Sequence, residues 1–270
     1  MTACPHWLDI LSWVYLAVSF ASAAVILVDE IRRPQMMLIM DLVWPITALY
    51  FGPLAIWGYL RSGTKMTKAH TGQMRAKIRR ELDRESHSSD SDAGELQRRF
   101  SPTPEQIAVG VCHCGAGCTL GDIAAEWWVF LAGLTFAGGA FQTRLLLDFL
   151  LAWAFGIAFQ YFTLAPMRGL SLAKGVSEAI RADTLSIVAF EIGLFAWMAA
   201  THFIFFPGPH LEPTDAVFWF MMQVGMMIGF FTSYPANRFL LQRRWKEAMP
   251  QYETGMRRKM LRSLSGSRPA

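Results

Sequence analysis

The stretch Val111-Cys112-His113-Cys114-Gly115-Ala116-Gly117-Cys118-Thr119-Leu120-Gly121-Asp122, followed by Glu126, decides the fold. It holds three of the chain's four cysteines within seven residues, a histidine between two of them, and two carboxylates downstream. All of this lies inside an apolar run long enough to cross a bilayer, which takes ~20 helical residues for a hydrocarbon core about 30 Å thick. Thiols, an imidazole and carboxylates are costly at that depth unless they are paired or used. The rest of the chain reads as a scaffold that places this segment.

Composition agrees with a membrane protein. Hydrophobic residues make up 53% of the 270, charged residues 17%, and there are 10 Trp and 20 Phe. That is too apolar for a soluble domain of this length. The net charge of +4 and pI near 9.0 raise the question of nucleic acid. The basic residues, however, gather between the apolar runs, so the expected partner is the lipid bilayer and no nucleic acid. Three cysteines clustered in an apolar segment do not form a secreted disulfide framework. Met1 to Trp7 carries no Lys or Arg, and no small-residue cleavage site follows, so the first apolar run is expected to stay in the mature protein.

Six apolar segments reach spanning length: Leu8–Val28, Met36–Leu60, Glu105–Ala132, Leu145–Ala165, Thr184–Phe206 and Asp215–Tyr234. The fold class expected is an all-α integral membrane protein of about six transmembrane helices. Pro45 and Pro53 each remove a backbone donor and should bend the second span. Basic residues set orientation. With six spans, 22 of the 25 Lys and Arg fall on one face, in Arg61–Pro104, in the turn after the fourth span and in the tail; Arg32, Arg33 and Arg144 are left for the other. Both termini are then cytoplasmic.

The chain divides into a two-helix membrane unit (1–60), a basic connection (61–104), a four-helix unit carrying the motif (105–234) and a basic tail (235–270). Within the connection, Thr64–Arg84 has the composition of an amphipathic helix on anionic headgroups. Glu85–Gly94 has that of a disordered linker. The tail is expected to meet anionic lipid headgroups as well. A homo-oligomer or a partner in a membrane complex fits a chain of this kind. No phosphate-cradling, dinucleotide, kinase, nucleophile-elbow or haem-attachment motif is present.

Residues four apart share a helix face, so Cys114, Cys118, Asp122 and Glu126 form a row. The row drifts about 40° per step and climbs roughly 18 Å. Cys112 lies about 160° and His113 about 100° from Cys114, so one unbroken helix cannot bring all four Cys and His side chains to one tetrahedral metal. Either Gly110, Gly115 and Gly117 let the helix break, or other helices complete the site. Two thiols one turn apart suit a soft ion, Cu(I) first and Zn(II) second. Cys114 and Cys118 are then the soft ligands, His113 an ancillary ligand, and Asp122 and Glu126 the continuation of an ion path or a proton relay. Asp41, Asp148, Asp183 and Glu191 are candidate partners, with Glu191 two turns above Asp183. Met222 and Met226, one turn apart, offer thioethers, though a Met run at this spacing is usually packing. Cys4 and His6 form a short Cys-Pro-His.

The alternatives are a membrane thiol–disulfide or sulfur-relay enzyme using Cys114 and Cys118, and a structural or assembly subunit whose polar row packs against a partner. Parallel side chains at this spacing disfavour a disulfide.

The sequence resembles an uncharacterised family of bacterial and archaeal multi-pass membrane proteins. The resemblance rests on His113-Cys114-Gly115-Ala116-Gly117-Cys118-Thr119-Leu120-Gly121-Asp122, read as His-Cys-x-x-Gly-Cys-x-x-Gly-Asp. Supporting stretches are Asp29–Gln35, Val43-Trp44-Pro45, Phe159–Phe162 with Ala165–Gly169, and Tyr234-Pro235-Ala236-Asn237. It implies a bacterial cytoplasmic (inner) membrane location, treats His113, Cys114, Cys118 and Asp122 as a unit, and leaves Cys112 outside it. It implies no activity.

Overall fold

The computed structural model describes residues 5–85, 102–136, 138–208, 211–243 and 245–246. Among these the chain is helical: α1 (His6–Arg32), α2 (Met40–Phe51), α3 (Pro53–Arg61), α4 (Lys68–Glu85), α5 (Pro104–Ala132), α6 (Ala140–Arg168), α7 (Leu172–Ala200) and α8 (Ala216–Gln242). A π-helical turn, Thr201–Phe205, extends α7. Five helices are long and apolar enough to cross a membrane: α1, α5, α6, α7 with its extension, and α8. The protein is a multi-pass membrane protein.

The second expected span, Met36–Leu60, is where the structure departs from the six-span reading. Its α2 ends at Gly52, whose φ of 55° lies in the left-handed region, and α3 starts at Pro53. Proline at a helix's first position gives up a donor that no helical bond needs. The chain then doubles back. Met36 N donates to Met66 O at 3.0 Å, and Lys68 N to Pro34 O at 3.0 Å, so the exit of the pair lies against its entrance. Trp44 of α2 and Tyr59 of α3 meet edge to face with ring centroids 5.8 Å apart. Met36–Leu60 is thus a helical hairpin, and Pro53, expected to bend a span, opens its return leg. At the tip, the carbonyls that α2 leaves unpaired are capped from other helices: Tyr15 donates to Tyr50 O at 2.9 Å and Gln223 to Leu49 O.

The centre of the fold is α5. A capping box starts it, with Gln106 N donating to Thr103 Oγ1 and Thr103 N to the Gln106 side chain, and left-handed Gly133 (φ 59°) ends it. In its most apolar window 78% is buried, against 22% for α1, although α1 is the more apolar helix (mean hydropathy 2.1 against 1.4). Burial therefore follows position. Elements α2, α6, α7 and α8 all pack on α5, while α1 leaves Trp13, Phe20 and Val25 on the outside.

Small residues bring the backbones close, as they do between membrane helices. A Cβ on Gly117 would lie 2.7 Å from Gly156 Cα, and one on Gly121 would run into the backbone of Ala152, both on α6. The glycines therefore do not break α5, which is continuous from Pro104 to Ala132; they seat it against α6. In the connection, where a helix was expected over Thr64–Arg84, α4 is helical over Lys68–Glu85, and 86–101 lies outside the described residues.

Candidate functional site: a buried polar row along the central helix

The helix face expected from spacing alone is present and is buried among the other helices. Cys114, Cys118 and Asp122 are fully buried and Glu126 nearly so. Following α5 from its start, each residue meets partners from other helices.

Toward the start of α5, the Lys246 ammonium donates to Asp183 Oδ1 at 2.6 Å, to Asn237 Oδ1 at 2.9 Å and to Gly110 O at 3.2 Å. These groups come from the segment after α8, from α7, from α8 and from α5, so one ammonium ties three helices together. Burial opposes its charge, but the Asp183 carboxylate and the nearby thiols outweigh that and hold its pKa above the ordinary lysine value. One turn on, Cys114 Sγ lies 2.9 Å from Ser186 Oγ and 3.7 Å from Ser233 Oγ. Asn237 Nδ2 donates to Ser186 and to the Ser233 hydroxyl, which fixes this hydroxyl pair.

Next, Cys118 sits beside the Glu191 carboxyl of α7. Asp122 follows, within electrostatic reach of Glu191 and Glu126. Both oxygens of Asp122 and both of Glu191 are buried without a well-formed hydrogen bond. Glu126 then meets Asp148 of α6 within hydrogen-bonding reach. The Arg144 guanidinium closes the series, 3.5 Å from Glu126, paired with Glu212 and bonded to Leu211 O. Glu126, Arg144, Asp148, Thr201 and His202 line a cavity of about 40 Å³ at this end. That is room for on the order of two or three waters.

The other candidate residues fall elsewhere. His113 faces α6, with Nε2 2.8 Å from Thr163 Oγ1. The same Thr163 hydroxyl lies 3.1 Å from Phe159 O, so it links the histidine to the α6 backbone. Cys112 packs in an apolar cluster with Val43, Trp44 and Ile46 of α2. Both are off the row, as helix arithmetic requires, and the unbroken helix removes the route by which His113 was expected to join it. Met222 and Met226 are buried in the apolar cluster, with Met226 Sδ 3.7 Å from Thr119 Oγ1, whose proton goes to Gly115 O at 2.7 Å. Asp41 accepts from Gln35 N at the foot of the hairpin, so it is no partner of the row. Of Cys-Pro-His, Cys4 lies outside the described residues. Among the described residues, no three His, Cys, Asp or Glu side chains converge to hold a metal ion.

Spacing on α5 alone misses Ser186, Ser233, Asn237, Lys246 and Arg144. The one signal for Asn237 is its place in Tyr-Pro-Ala-Asn. Tyr50 gives no sequence signal: its buried hydroxyl comes within 3.1 Å of where a Cβ on Gly115 would stand, facing the thiols.

The model of a family described as a domain of unknown function, DUF4396, matches residues 104–246. The chain belongs to the DUF4396 family. No curated protein and no solved structure matches. The DUF4396 match starts at the first residue of α5 and ends at Lys246, so it takes in the whole polar row with both of its ends. The hairpin and α1 lie outside it.

Proposed function

We propose that this protein moves a cation across the membrane along α5, with protons carried on its carboxylates. The observation that supports this is a charge imbalance. Asp122, Glu126, Asp148 and Glu191 are buried within one connected region that Glu212 joins through Arg144. Facing them among the described residues are the Arg144 guanidinium and, on the cavity wall, the His202 imidazole. Carboxylates in an apolar interior need compensating positive charge, and a proton or a metal cation supplies what the side chains do not. The row reaches from Lys246, which closes the Cys114 end, to the cavity beside Arg144.

We infer an orientation from the hairpin. If Met36–Leu60 enters and leaves by one face, five spans remain, and every Lys and Arg except Arg144 falls on the face of the C-terminus. That is a fuller separation than six spans give, and it puts the C-terminus in the cytoplasm and the N-terminus outside. The cavity then opens outward. A bacterial cytoplasmic membrane fits this reading, and the basic connection and tail lie on the side of the anionic headgroups.

A soft metal ion, Cu(I) before Zn(II), is a second reading, favoured by one observation: both Cys114 and Cys118 face the row, free and buried. The two cargoes separate in one preparation. Purified protein in sealed vesicles is followed for proton entry with a trapped pH dye and for metal by elemental analysis. Loss of bound metal in Cys114→Ser and Cys118→Ser supports the soft ion. Proton entry that survives both substitutions supports the carboxylate path alone, and neither flux nor bound metal refutes both.

A further inference from the structure

At the foot of the hairpin, apart from the α5 row, three side chains meet where α1 ends and α2 begins. Gln35 is fully buried and held from two directions: its backbone N–H donates to Asp41 Oδ1 at 2.7 Å, and its amide Nε2 donates to Glu30 Oε1 at 3.2 Å. Its backbone also pairs with Thr67 across the hairpin's mouth. Glu30 is 2% exposed. Two atoms are left over: Glu30 Oε2 and Gln35 Oε1 are both buried without a hydrogen-bond partner.

Both leftover atoms are acceptors, so neither can satisfy the other, and Glu30 and Asp41 also repel each other electrostatically. The nearby groups are spoken for or outside. Asp29 accepts from Tyr59 at 2.8 Å and pairs with Arg33 at 3.7 Å. Lys68, whose charge acts on Asp41, is exposed. Two carboxylates and an amide oxygen, with no donor aimed at the free oxygens, form a hard-oxygen set of the kind that takes alkali or alkaline-earth ions.

We propose that Glu30, Gln35 and Asp41 bind a hard metal cation, which ties the end of α1 to the start of the hairpin's first leg, α2. The site is separate from the α5 row and does not depend on the function proposed for it. No third carboxylate takes part, which agrees with the lack of any three-residue His, Cys, Asp or Glu cluster among the described residues.

The test is thermal unfolding of the full chain in detergent, with Na+, K+, Mg2+ or Ca2+ chloride compared with choline chloride at matched ionic strength. A ligand bound only by the folded state raises the midpoint saturably, here by roughly 3–6 °C for one of the four ions. The shift is expected to vanish in Glu30→Gln and in Asp41→Asn and to persist in Asp122→Asn. Should one of the first two fail to fold, the other carries the test. The proposal is overturned if all four salts act like choline, if the shift survives Glu30→Gln or Asp41→Asn, or if it disappears in Asp122→Asn alone.

Discussion

Lys246 and Asp183, 63 residues apart, form an ion pair of 2.6 Å with side chains 1% and 0% exposed. Sequence order puts one in the basic tail and the other within α7, yet the pair closes the Cys114 end of the polar row. Removing one partner strands the other charge in the interior, which costs about 3–5 kcal/mol, whereas replacing both by apolar side chains costs less. Lys246→Met is expected to lower the unfolding midpoint more than Lys246→Met with Asp183→Leu. Equal losses in the single and double variants would refute the pairing.

The same ammonium sets an alkaline limit. Its pKa in the folded protein is above the ordinary value, so its contribution is complete below the unfolded pKa and is lost as pH rises through the folded one. An unfolded lysine titrates near ~10.4. Stability measured from pH 7 upward should therefore show no Lys246-dependent loss until beyond about pH 10. In the strongly alkaline range the wild type should approach Lys246→Met. Parallel curves at all pH values would contradict this.

Two helical glycines should respond in opposite directions to alanine. On Gly121 a Cβ meets the Ala152 backbone, which has no rotamer to yield, so Gly121→Ala should destabilise by about 1–3 kcal/mol or more and part α5 from α6. Around Gly72 in α4 nothing lies within 4 Å of an added Cβ, so Gly72→Ala should stabilise by roughly 0.5–1 kcal/mol through helix propensity. Denaturation midpoints of the two variants check this. A neutral Gly121→Ala would mean that α5 and α6 are farther apart than described.

The hairpin makes a topological prediction. Leu38, at its foot and 76% exposed, should label from the same side as Ser171, and Gly208 from the opposite side. Six spans put Leu38 on the other face from Ser171. Single cysteines at these positions, in a Cys4→Ser chain whose remaining thiols are buried, report the side through a membrane-impermeant maleimide. Leu38→Cys and Ser171→Cys reacting from opposite faces would restore six spans.

These cases also mark how far the sequence could be read. Apolar length and the basic segments made the helices legible, and a period of 3.6 put Cys114, Cys118, Asp122 and Glu126 on one face while excluding Cys112. The hairpin was not legible, because Gly52-Pro53 inside an apolar run of spanning length reads equally as a kink and as a reversal. What distinguishes them is contact between Pro34–Met36 and Met66–Lys68, across 30 residues of chain. Lys246 and Arg144 were hidden for a related reason. A basic residue just beyond an apolar run is ordinarily solvated, and only the packed bundle brings it to Asp183 or Glu126.

The central claim is that the carboxylates beside Cys118 carry positive charge through the protein, and Asp122 tests it most directly. Both its oxygens are buried without a well-formed bond, so Asp122→Asn keeps the shape and removes the group that takes up and gives back a proton. The measurement is proton entry into sealed vesicles bearing the purified protein, driven by an imposed pH gradient and membrane potential. Wild-type entry is expected to exceed that of empty vesicles, and to fall at least about tenfold in Asp122→Asn at unchanged protein content and unfolding midpoint. Entry in Asp122→Asn equal to that of the wild type would contradict the claim.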